Sequence, residues 1–419
     1  MKRLSSRAWA LTLLSAAFAA VPALAQELPT PAFLPSTAQA GAWIEADPMV
    51  ARARHAAEAA QHGGAALAAS PHEWTARLQG QRRRYQDSGA RSNEWSAQLE
   101  RPLRINGKAE LDRRIGDLEV EIGRARVGEA RHEAARALAE LWTGVIVAQR
   151  QLALAREQVV LAQGNLEAVN KRQRAGDASR LDLGLAQAEI GDVGREASLA
   201  ATALAKLKAA LRVRFAAEVP EGATLPEPQP PIWPEPRWRE RVMAEADPLK
   251  SAEGEWRRAG VTAERVRADR VPDPTLGVFT ANEALRNERV IGLSLSIPLS
   301  GRYRTERALQ AGKEADALQA VLDQVRRDIE LEAAQTYAEA GGSLERWQLA
   351  QRTAALAGEN ARLSQRAYAL GEADLQSLLL ARRQAAAAAR AALEAQGDAL
   401  RWETRLLIDA HLIWDLARD

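Results

Sequence analysis

A helical pattern of great length decides what this chain can fold into. From about residue 303 to Tyr368, apolar side chains recur at steps of three and four, which is the period of an α-helix. A helix of roughly 65 residues is about 100 Å long, because each residue adds about 1.5 Å. No compact globular domain houses a helix of that length. The sequence therefore predicts an elongated molecule.

A short strand leads into this helix. Residues 290–299 alternate apolar with polar side chains, and this period of two predicts a strand with one apolar and one polar face. The apolar face carries Leu293, Leu295, Ile297 and Leu299, and the polar face carries Ser294 and Ser296. Pro298 interrupts the ladder of hydrogen bonds. After the long helix the chain turns at Gly371, and a second helix returns.

The same series of elements occurs twice. In each copy an Asp-Pro pair precedes a helix, two strands, a long helix, a glycine turn and a return helix, and these pairs begin at Asp47 and Asp247. The glycine turns lie at Gly176 and Gly371, 195 positions apart. That period is far longer than the unit of a solenoid, so it indicates a duplication. Each return helix would run antiparallel to the long helix before it.

The composition agrees with long helices rather than with a mixed globular core. Hydrophobic residues make up 47% of the chain and aromatic residues only 5%. The long helix of the first copy carries an apolar seam with a spacing of about 3.5, which indicates supercoiling against a neighbour. The seam includes Leu141, Val145, Ala148 and Leu152. The formal net charge is +2 and no basic stripe is interleaved with aromatics, so we expect no nucleic-acid partner.

The N-terminus is typical of a secretory signal peptide. Residues 1–7 carry positive charge, residues 8–21 are apolar, and residues 23–25 (Ala-Leu-Ala) precede Gln26 as a cleavage site. We therefore expect an exported protein whose mature chain starts near Gln26. The cysteine count is 0, so we expect neither disulfides nor a cysteine-linked lipid. No later apolar run has the length of a transmembrane helix, so any membrane crossing would use strands.

The predicted segments follow from these signals. They are a signal peptide (residues 1–25), an extended N-terminal segment (26–46), a first repeat (47–216), a Pro-rich connector (217–246), a second repeat (247–412) and a tail (413–419). The predicted strands of the first repeat are 72–85 and 93–103, and its long helices are 106–174 and 178–216. The second repeat has predicted strands 275–281 and 290–299 and helices 303–369 and 373–412.

Four strands per chain are too few to close a barrel. Open sheet edges are not tolerated in lipid, so strands that cross a membrane must be completed by other chains. Three chains with four strands each would supply twelve, which is enough for closure. The predicted fold is therefore mainly α with a small membrane β-barrel, in which a trimer forms a 12-stranded barrel on a long α-helical tunnel.

Paired motifs give the chain a resemblance to a known family. Both strand-to-helix junctions carry a similar motif, Leu99-Glu100-Arg101-Pro102-Leu103 and Leu295-Ser296-Ile297-Pro298-Leu299. The two turns carry Arg172 and Gly176 with Asp182 and Ala186, and Tyr368 and Gly371 with Leu378 and Ala381. In this order and in both halves, the whole mature chain resembles the TolC-like outer-membrane efflux factors. Residues 102–108 and the compact loops are similar to the branch that serves heavy-metal efflux pumps.

The resemblance implies a function and partners. Members of this family are trimers whose β-barrel crosses the outer membrane and whose helical tunnel crosses the periplasm. The chain would be the passive outer-membrane channel of a tripartite efflux or export system. Its partners would be a periplasmic adaptor and an inner-membrane pump of the RND type. Metal cations are one candidate cargo, beside organic compounds or peptides, and no cofactor is expected.

The same resemblance implies the residues of each functional surface. The two tips, which would receive the adaptor, carry Arg172, Gly176, Asp177, Tyr368, Gly371 and Glu372. The polar strand faces would line the barrel lumen with Arg77, Gln79, Gln98, Glu100, Ser294 and Ser296. Where the family narrows its periplasmic entrance with acids, this chain has Ser377 and Leu380. Any acidic constriction of the entrance would therefore have to come from Asp182, Asp374 or their neighbours Asp177 and Glu372. The chain also lacks the lipid-bearing cysteine of many relatives, so the barrel alone would anchor it.

Two smaller groups of residues leave alternatives open. The aromatic residues of the strands are either strand-packing side chains or a girdle at the membrane interface, and they are Trp74, Tyr85, Trp95 and Phe279. His55, His62 and His72 suggest a metal site, but such a site needs convergent ligands at defined distances. We expect a solvated or structural role for these histidines.

A non-pore periplasmic adaptor or coiled-coil scaffold is the alternative function. Adaptors also contain helical hairpins, but typically one within a β-rich fold, whereas this chain has two duplicated hairpins and no intervening β-domain. An enzyme is a third class of function. The sequence contains no HExxH motif, no Gly-rich phosphate loop and no nucleophile elbow, and this argues against that class.

Overall fold

Helices dominate the part of the chain that the computed structural model describes, residues 28–284 and 287–416. The predicted signal peptide, residues 1–25, lies outside this part. The helices are α1 (Thr37–Glu45), α2 (Pro48–Ala69), α3 (Lys108–Ala175), α4 (Arg180–Phe215), α5 (Glu235–Glu245), α6 (Asp247–Ala268), α7 (Arg302–Ala369) and α8 (Leu375–Asp409). The strands are β1 (Thr75–Arg84), β2 (Arg91–Pro102), β3 (Thr275–Glu283) and β4 (Glu288–Ser296). The prediction of a mainly α fold with a small antiparallel sheet is confirmed.

Each half is built along one long helix. Both α3 and α7 contain 68 residues, so each is about 100 Å long. In the first half, α2 and α4 contain 22 and 36 residues, and both pack against α3. In the second half, α6 and α8 contain 22 and 35 residues, and both pack against α7. The two shorter helices of each half lie one after the other along the long helix.

Helix α3 also joins the two halves, because α6 and α8 of the second half pack against it. The close packing of these helices depends on glycine. A Cβ atom added to Gly116 in α3 would lie 2.7 Å from the Cα atom of Gly64 in α2, and one added to Gly254 in α6 would lie 2.7 Å from Ile122. Larger side chains at these positions would force the helices apart. The seams that are rich in alanine and glycine therefore reflect short distances between helix axes.

The four strands form one antiparallel sheet in the order β1-β2-β3-β4. The two predicted hairpins are joined by the pairing of β2 with β3, in which Leu99 lies opposite Val278. Strand β4 ends at Ser296 and not at residue 299 as predicted, because β3 starts at Thr275 opposite Ser296 and offers no partner beyond it. The sheet lies at one end of the long helices, since α3 and α7 begin shortly after β2 and β4.

Two segments that the sequence predicted to be extended contain helices, so the prediction is wrong for them. In the N-terminal segment, α1 begins after Ser36, whose side chain forms a capping box with Gln39. In the Pro-rich connector, α5 begins after Pro234, since proline is tolerated at the start of a helix. Both helices are held by burial of an apolar side, with Ile44 and Trp238 each 2% exposed. Such short helices have too few turns for their period to be recognised.

The main apolar core lies around the middle of the long helices. Residues of α1, α5 and the C-terminal ends of α4 and α8 pack there against α3 and α7, together with the segment that follows α8. The indole nitrogen of Trp142 donates to the carbonyl oxygen of Phe33 (2.8 Å), and that of Trp414 donates to the carbonyl oxygen of Pro35 (3.1 Å). The first and last described segments of the chain are therefore packed together against α3.

A polar cluster lies beside this core. His132 Nε2 is 3.1 Å and Arg136 Nε is 2.8 Å from Asp409 Oδ1, and His132 Nδ1 is 3.2 Å from His411 Nε2. Burial opposes ionisation of Asp409, but His132 and Arg136 hold the pKa of its carboxyl below the ordinary value. Burial, followed by the charges of His132 and of nearby Lys and Arg side chains, lowers the pKa of His411 to about 3. His411 is therefore neutral at pH 7.

We predict that mild acid destabilises the chain through His411. The pKa of His411 is about 3 in the folded chain and about 6.5 in the unfolded chain, so the unfolded state takes up the proton first as the pH falls. The free energy of unfolding should therefore drop by about 2 kcal/mol between pH 7 and pH 5. The measurement is the thermal unfolding midpoint at both pH values, which should shift less in His411→Gln.

The matched control for this prediction is His55→Gln, because His55 is exposed on α2. This variant should show the same pH shift as the unmodified chain. A shift of equal size in His411→Gln would contradict the prediction.

Candidate functional site: the sheet and the helical tips

The sheet has one apolar and one polar face. Side chains alternate along each strand, and residues opposite each other in the ladder share a face. The register places Leu99, Val278 and Leu293 in one row. The large side chains of the apolar face are 42% to 82% exposed, and they are Leu78, Leu99, Leu276, Val278, Ile291, Leu293 and Leu295. The described residues of a single chain leave this face uncovered.

The polar face holds all the residues predicted for the barrel lumen, which are Arg77, Gln79, Gln98, Glu100, Ser294 and Ser296. Arg77 Nη2 (3.2 Å) and Gln98 Nε2 (2.8 Å) donate to the carboxylate of Glu100, and Gln98 Nε2 also lies 3.3 Å from Ser294 Oγ. Gly277 makes room for this network, since a Cβ atom there would lie 2.5 Å from Ser294 Oγ. A polar network across the sheet suits contact with water, whereas the opposite face suits apolar surroundings.

The strand aromatics do not form one group. Trp95 lies on the apolar face and is 49% exposed, and Trp74 precedes β1 with the guanidinium of Arg101 5.7 Å from its ring centroid. Phe279 lies on the polar face, where a Cβ atom added to the opposite Gly292 would lie 2.5 Å from its ring. Phe279 therefore packs within the sheet, and a girdle on the apolar face cannot include it.

A buried ion pair fixes the junction between the sheet and the helices. Lys108 is 1% exposed, and its Nζ lies 2.8 Å from Asp273 Oδ1 and 2.8 Å from the carbonyl oxygen of Val271. The amide of Ile105 donates to the same Asp273 oxygen, and His72 Nε2 is 3.2 Å from the other one. Burial opposes ionisation, but these donors hold the pKa of Asp273 below its usual value. His72 therefore has a structural role.

The other histidines of the predicted group lie apart from this junction. His55 and His62 are exposed on α2, and Nδ1 of His55 is 3.0 Å from the carboxylate of Glu58. Within residues 28–284 and 287–416, no group of three or more His, Cys, Asp or Glu side chains is placed to hold a metal ion. Sequence reasoning missed Asp273, because no local motif marks it and its partners come from distant parts of the chain.

The two tips have the same backbone structure. Gly176 and Gly371 have φ values of +87° and +80°, which favour glycine. At the first tip the amide of Asp177 donates to the carbonyl oxygen of Arg172 (2.8 Å), and the equivalent bond at the second tip starts from the amide of Glu372 (2.9 Å). This is the Schellman ending of a helix. The duplicated turns are therefore equivalent in geometry.

Asp182 and Asp374 begin the return helices. Asp182 forms a capping box with Ser179, whose hydroxyl accepts from the Asp182 amide at 3.0 Å. The carboxylate of Asp374 accepts from the amide of Ser377 at 2.7 Å, and this hydrogen bond lowers the pKa of Asp374 below its usual value. Both acids therefore have a structural role that sequence reasoning did not assign. Ser377 and Leu380 are exposed in the same turns of α8.

The two tips also contact each other. The guanidinium of Arg172 lies 5.2 Å from the ring centroid of Tyr368, which is within the range of a cation–π interaction. A small apolar cluster next to this pair consists of Val169, Ala186, Leu375, Leu378 and Leu379. The tip residues of the first half are thus brought together with those of the second half.

Two ion pairs continue this contact along the return helices. Arg383 lies 3.0 Å from Glu189, and Arg390 lies 3.0 Å from Glu196. The two carboxylates are seven residues apart on α4 and the two guanidiniums are seven residues apart on α8, so each pair of positions lies on one helix face. Sequence reasoning missed these contacts, although the matched heptad spacing of acids and bases could have indicated them.

The chain consists of two similar helical hairpins with a four-stranded antiparallel sheet at one end. This is the fold of the TolC-like outer-membrane channels, and the resemblance predicted from the sequence motifs is confirmed at the level of the fold. None of the described helices is both long enough and apolar enough to span a membrane.

Particular proteins of this class are similar to the chain. The outer-membrane channel OprN superposes with a TM-score of 0.76 at 16% identity, covering 90% of both chains. The transmembrane channel CusC has a TM-score of 0.72 at 16% identity and covers 93% of this chain and 95% of its own.

The cobalt-zinc-cadmium resistance protein CzcC of Cupriavidus metallidurans is similar in sequence. It is 28% identical over 217 residues, which is 49% of this chain and 50% of that protein. The match therefore spans about half the length of this curated relative. No family model matches the sequence.

We predict that Asp374→Ala loosens the first turn of α8. The Asp374 carboxylate satisfies the amide of Ser377, and its removal leaves that amide without a cap. Amide hydrogen exchange of residues 375–378 should become about fivefold faster. Glu372→Ala is the control, because Glu372 bonds within the turn through its backbone amide. Unchanged exchange in Asp374→Ala would show that the cap has no measurable effect.

Proposed function

We propose that this chain is the outer-membrane channel of a tripartite efflux or export system. It would be a passive exit duct for substrate that an inner-membrane pump delivers through a periplasmic adaptor. The observation that carries this proposal is the two-faced sheet, since an exposed apolar face fits lipid and a hydrogen-bonded polar face fits a water-filled lumen. A non-pore adaptor or scaffold has no need of such a sheet.

A homotrimer in the outer membrane completes the sheet in this proposal. Strands β1 and β4 are its edges, and their outer backbone groups need hydrogen-bond partners inside a membrane. Pairing β4 of one chain with β1 of the next closes a barrel, and three chains with four strands each supply twelve strands. Arg77, Gln98 and Glu100 would then line the lumen, and outer-membrane lipid would cover Leu293 and its neighbours.

The proposed cargo and partners draw on the relatives. CzcC is named a cobalt-zinc-cadmium resistance protein, and this supports metal cations as cargo. An RND-type pump would supply the energy, and passive conduction needs no cofactor. We expect weak selectivity, because Arg77 and Glu100 of the lumen face pair with each other (3.2 Å).

The tips are the proposed docking surface for the adaptor. In a trimer, six Schellman turns would surround the periplasmic mouth, two from each chain. A Cβ atom added to Gly176 or Gly371 would have no other described atom within 4 Å, so a partner can approach the backbone there. The exposed Asp177 and Glu372 follow these glycines and offer acidic groups to the partner. Beyond the turns, Asp182 and Asp374, which cap the return helices, are proposed to narrow the periplasmic entrance.

We predict that arginine at one position of β4 prevents assembly, whereas arginine at the adjacent position lowers only the conductance. Leu293→Arg places a charge on the lipid side and should cost about 2–4 kcal/mol near the bilayer midplane, so less trimer should form. Ser294 lies in the row of Glu100 on the polar face. The Ser294→Arg variant should therefore form a normal trimer, and its channel should have a lower conductance. The measurements are the trimer band on an unheated gel and single-channel conductance. Equal loss of trimer in both variants, or recovery of the unmodified chain from the soluble periplasm, would contradict the proposal.

We predict that Gly371→Trp abolishes export without preventing assembly. A side chain at a φ of +80° strains the turn by about 1–2 kcal/mol, which is small beside the packing of a 68-residue helix. The bulky ring should block the approach of the adaptor. The measurements are trimer formation, adaptor binding and the metal resistance of a strain that carries the variant.

Two controls separate backbone strain from bulk in this experiment. Gly371→Ala carries the same strain without the ring and should keep most of the export. Gly358→Trp places the same ring on the exposed surface of α7, away from the tip, and should leave adaptor binding unchanged. Full metal resistance with Gly371→Trp would mean that this tip does not dock the adaptor.

A further inference from the structure

A group of arginines borders the apolar face of the sheet at the hairpin ends of the strands. We name this group the arginine belt, and it consists of Arg82, Arg84, Arg91 and Arg289. The register places Arg84 directly opposite Arg91, and Arg289 in the row of Trp95. All four side chains are exposed. On β1 the belt follows Leu78 by four to six residues, which is about 13 to 20 Å along the strand.

The belt lacks the partners that arginines of the polar face have. On that face Arg83 lies 3.1 Å from Glu94, and Arg77 also pairs with a carboxylate. No guanidinium of the belt forms an ion pair with another described residue. Arg84 and Arg91 are like charges at directly opposed positions, an arrangement that destabilises a sheet. An anion bound between them would remove this repulsion.

The position of the belt indicates where such an anion comes from. The belt shares a face with the exposed leucines, so its ligand lies next to whatever covers them. The belt is also remote from α3 and α7, which begin after the opposite ends of β2 and β4. Under the proposed function, on which this inference rests, the hairpin ends reach the headgroups of the outer leaflet.

The opposite border of the apolar face differs from the belt. There the side chain of Arg101 donates to the carbonyl oxygen of His72 (3.0 Å) and lies over the ring of Trp74. Its guanidinium is thus held by partners within the chain through one hydrogen bond and one ring contact. The arginines of this face that have no partner among the described residues therefore lie at its hairpin end.

We propose that the arginine belt binds the phosphate groups of anionic lipids in the outer leaflet around the barrel. A guanidinium presents a planar fork of donors that matches two phosphate oxygens, and long arginine side chains extend from an apolar surface to the headgroups. A membrane lipid fits better than a soluble phosphate, because its acyl chains cover the apolar face directly beside its phosphate. The belt holds these lipids in place around the channel.

Lipid retention by the full chain tests this proposal. The chain is reconstituted in phosphatidylcholine vesicles that contain either bis-phosphorylated lipid A or lipid A without phosphates, then extracted, and the bound lipid is quantified by mass spectrometry. The unmodified chain should retain the phosphorylated form about tenfold more than the other form. Replacing the four belt arginines by Gln should reduce this preference to within about twofold. Replacement by Lys keeps the charge but not the planar fork, so it should leave an intermediate preference.

The matched control removes the same charge elsewhere. Arg307, Arg326, Arg327 and Arg352 are exposed on α7, and their joint replacement by Gln should leave the preference unchanged. Equal retention of both lipids by the unmodified chain, or an unchanged preference in the belt Gln variant, would overturn the inference. Release of the bound lipid by inorganic phosphate alone would also overturn it, since the belt would then be a site for soluble anions.

Failure of this inference can be told apart from failure of the channel proposal. If the unmodified chain does not insert into vesicles at all, the channel proposal fails. If it inserts and conducts but shows no preference, the belt proposal alone fails. Should the fourfold Gln variant not insert, two double variants replace it, Arg82→Gln with Arg84→Gln and Arg91→Gln with Arg289→Gln. Each should lose part of the preference, and an unchanged preference in both would overturn the inference.

Discussion

The continuous packing of α3 against shorter helices from both halves is the contact on which the other features depend. Helices α2 and α4 lie along it within its own half, and α6 and α8 reach it from the other half. The helices approach closely where glycine takes the place of a side chain, as between Gly64 and Gly116, and at Gly397, where a Cβ atom would lie 2.5 Å from Val147. A rod packed in this way keeps the sheet and the tips about 100 Å apart.

Buried charges act at two places where this packing meets other segments. Lys108, only 1% exposed, holds Asp273 where the strands give way to the helices. Asp409 gathers His132 and Arg136 where the terminal segments meet the middle of α3. A buried ion pair adds little net stability, because desolvation offsets the attraction, but removing one partner is costly. These contacts therefore fix the position of the segments relative to α3 more than they stabilise the fold.

The long helices, the strands and both glycine turns could be predicted because each leaves a periodic or local pattern in the sequence. The shared face of Ser294 and Glu100 followed from alternation alone. The remaining features depend on contacts between distant residues. The face of Phe279 is fixed by its pairing with Gly292, and the role of Asp273 by partners in other elements. Helices α1 and α5 are too short for a clear period, and their positions come from burial against the core.

The duplication makes the two tips alike in backbone and unlike in chemistry. Both end in the same Schellman turn, yet the first return helix is capped by Ser179 together with Asp182, and the second by Asp374 alone. Arg172 on one tip stacks on Tyr368 of the other, so the side chains differ as well. A partner that recognises backbone shape would find six equivalent turns in the proposed trimer, two on each chain. A partner that recognises side chains would find only three equivalent tips, one on each chain. The number of adaptors bound per trimer therefore indicates which of the two is recognised.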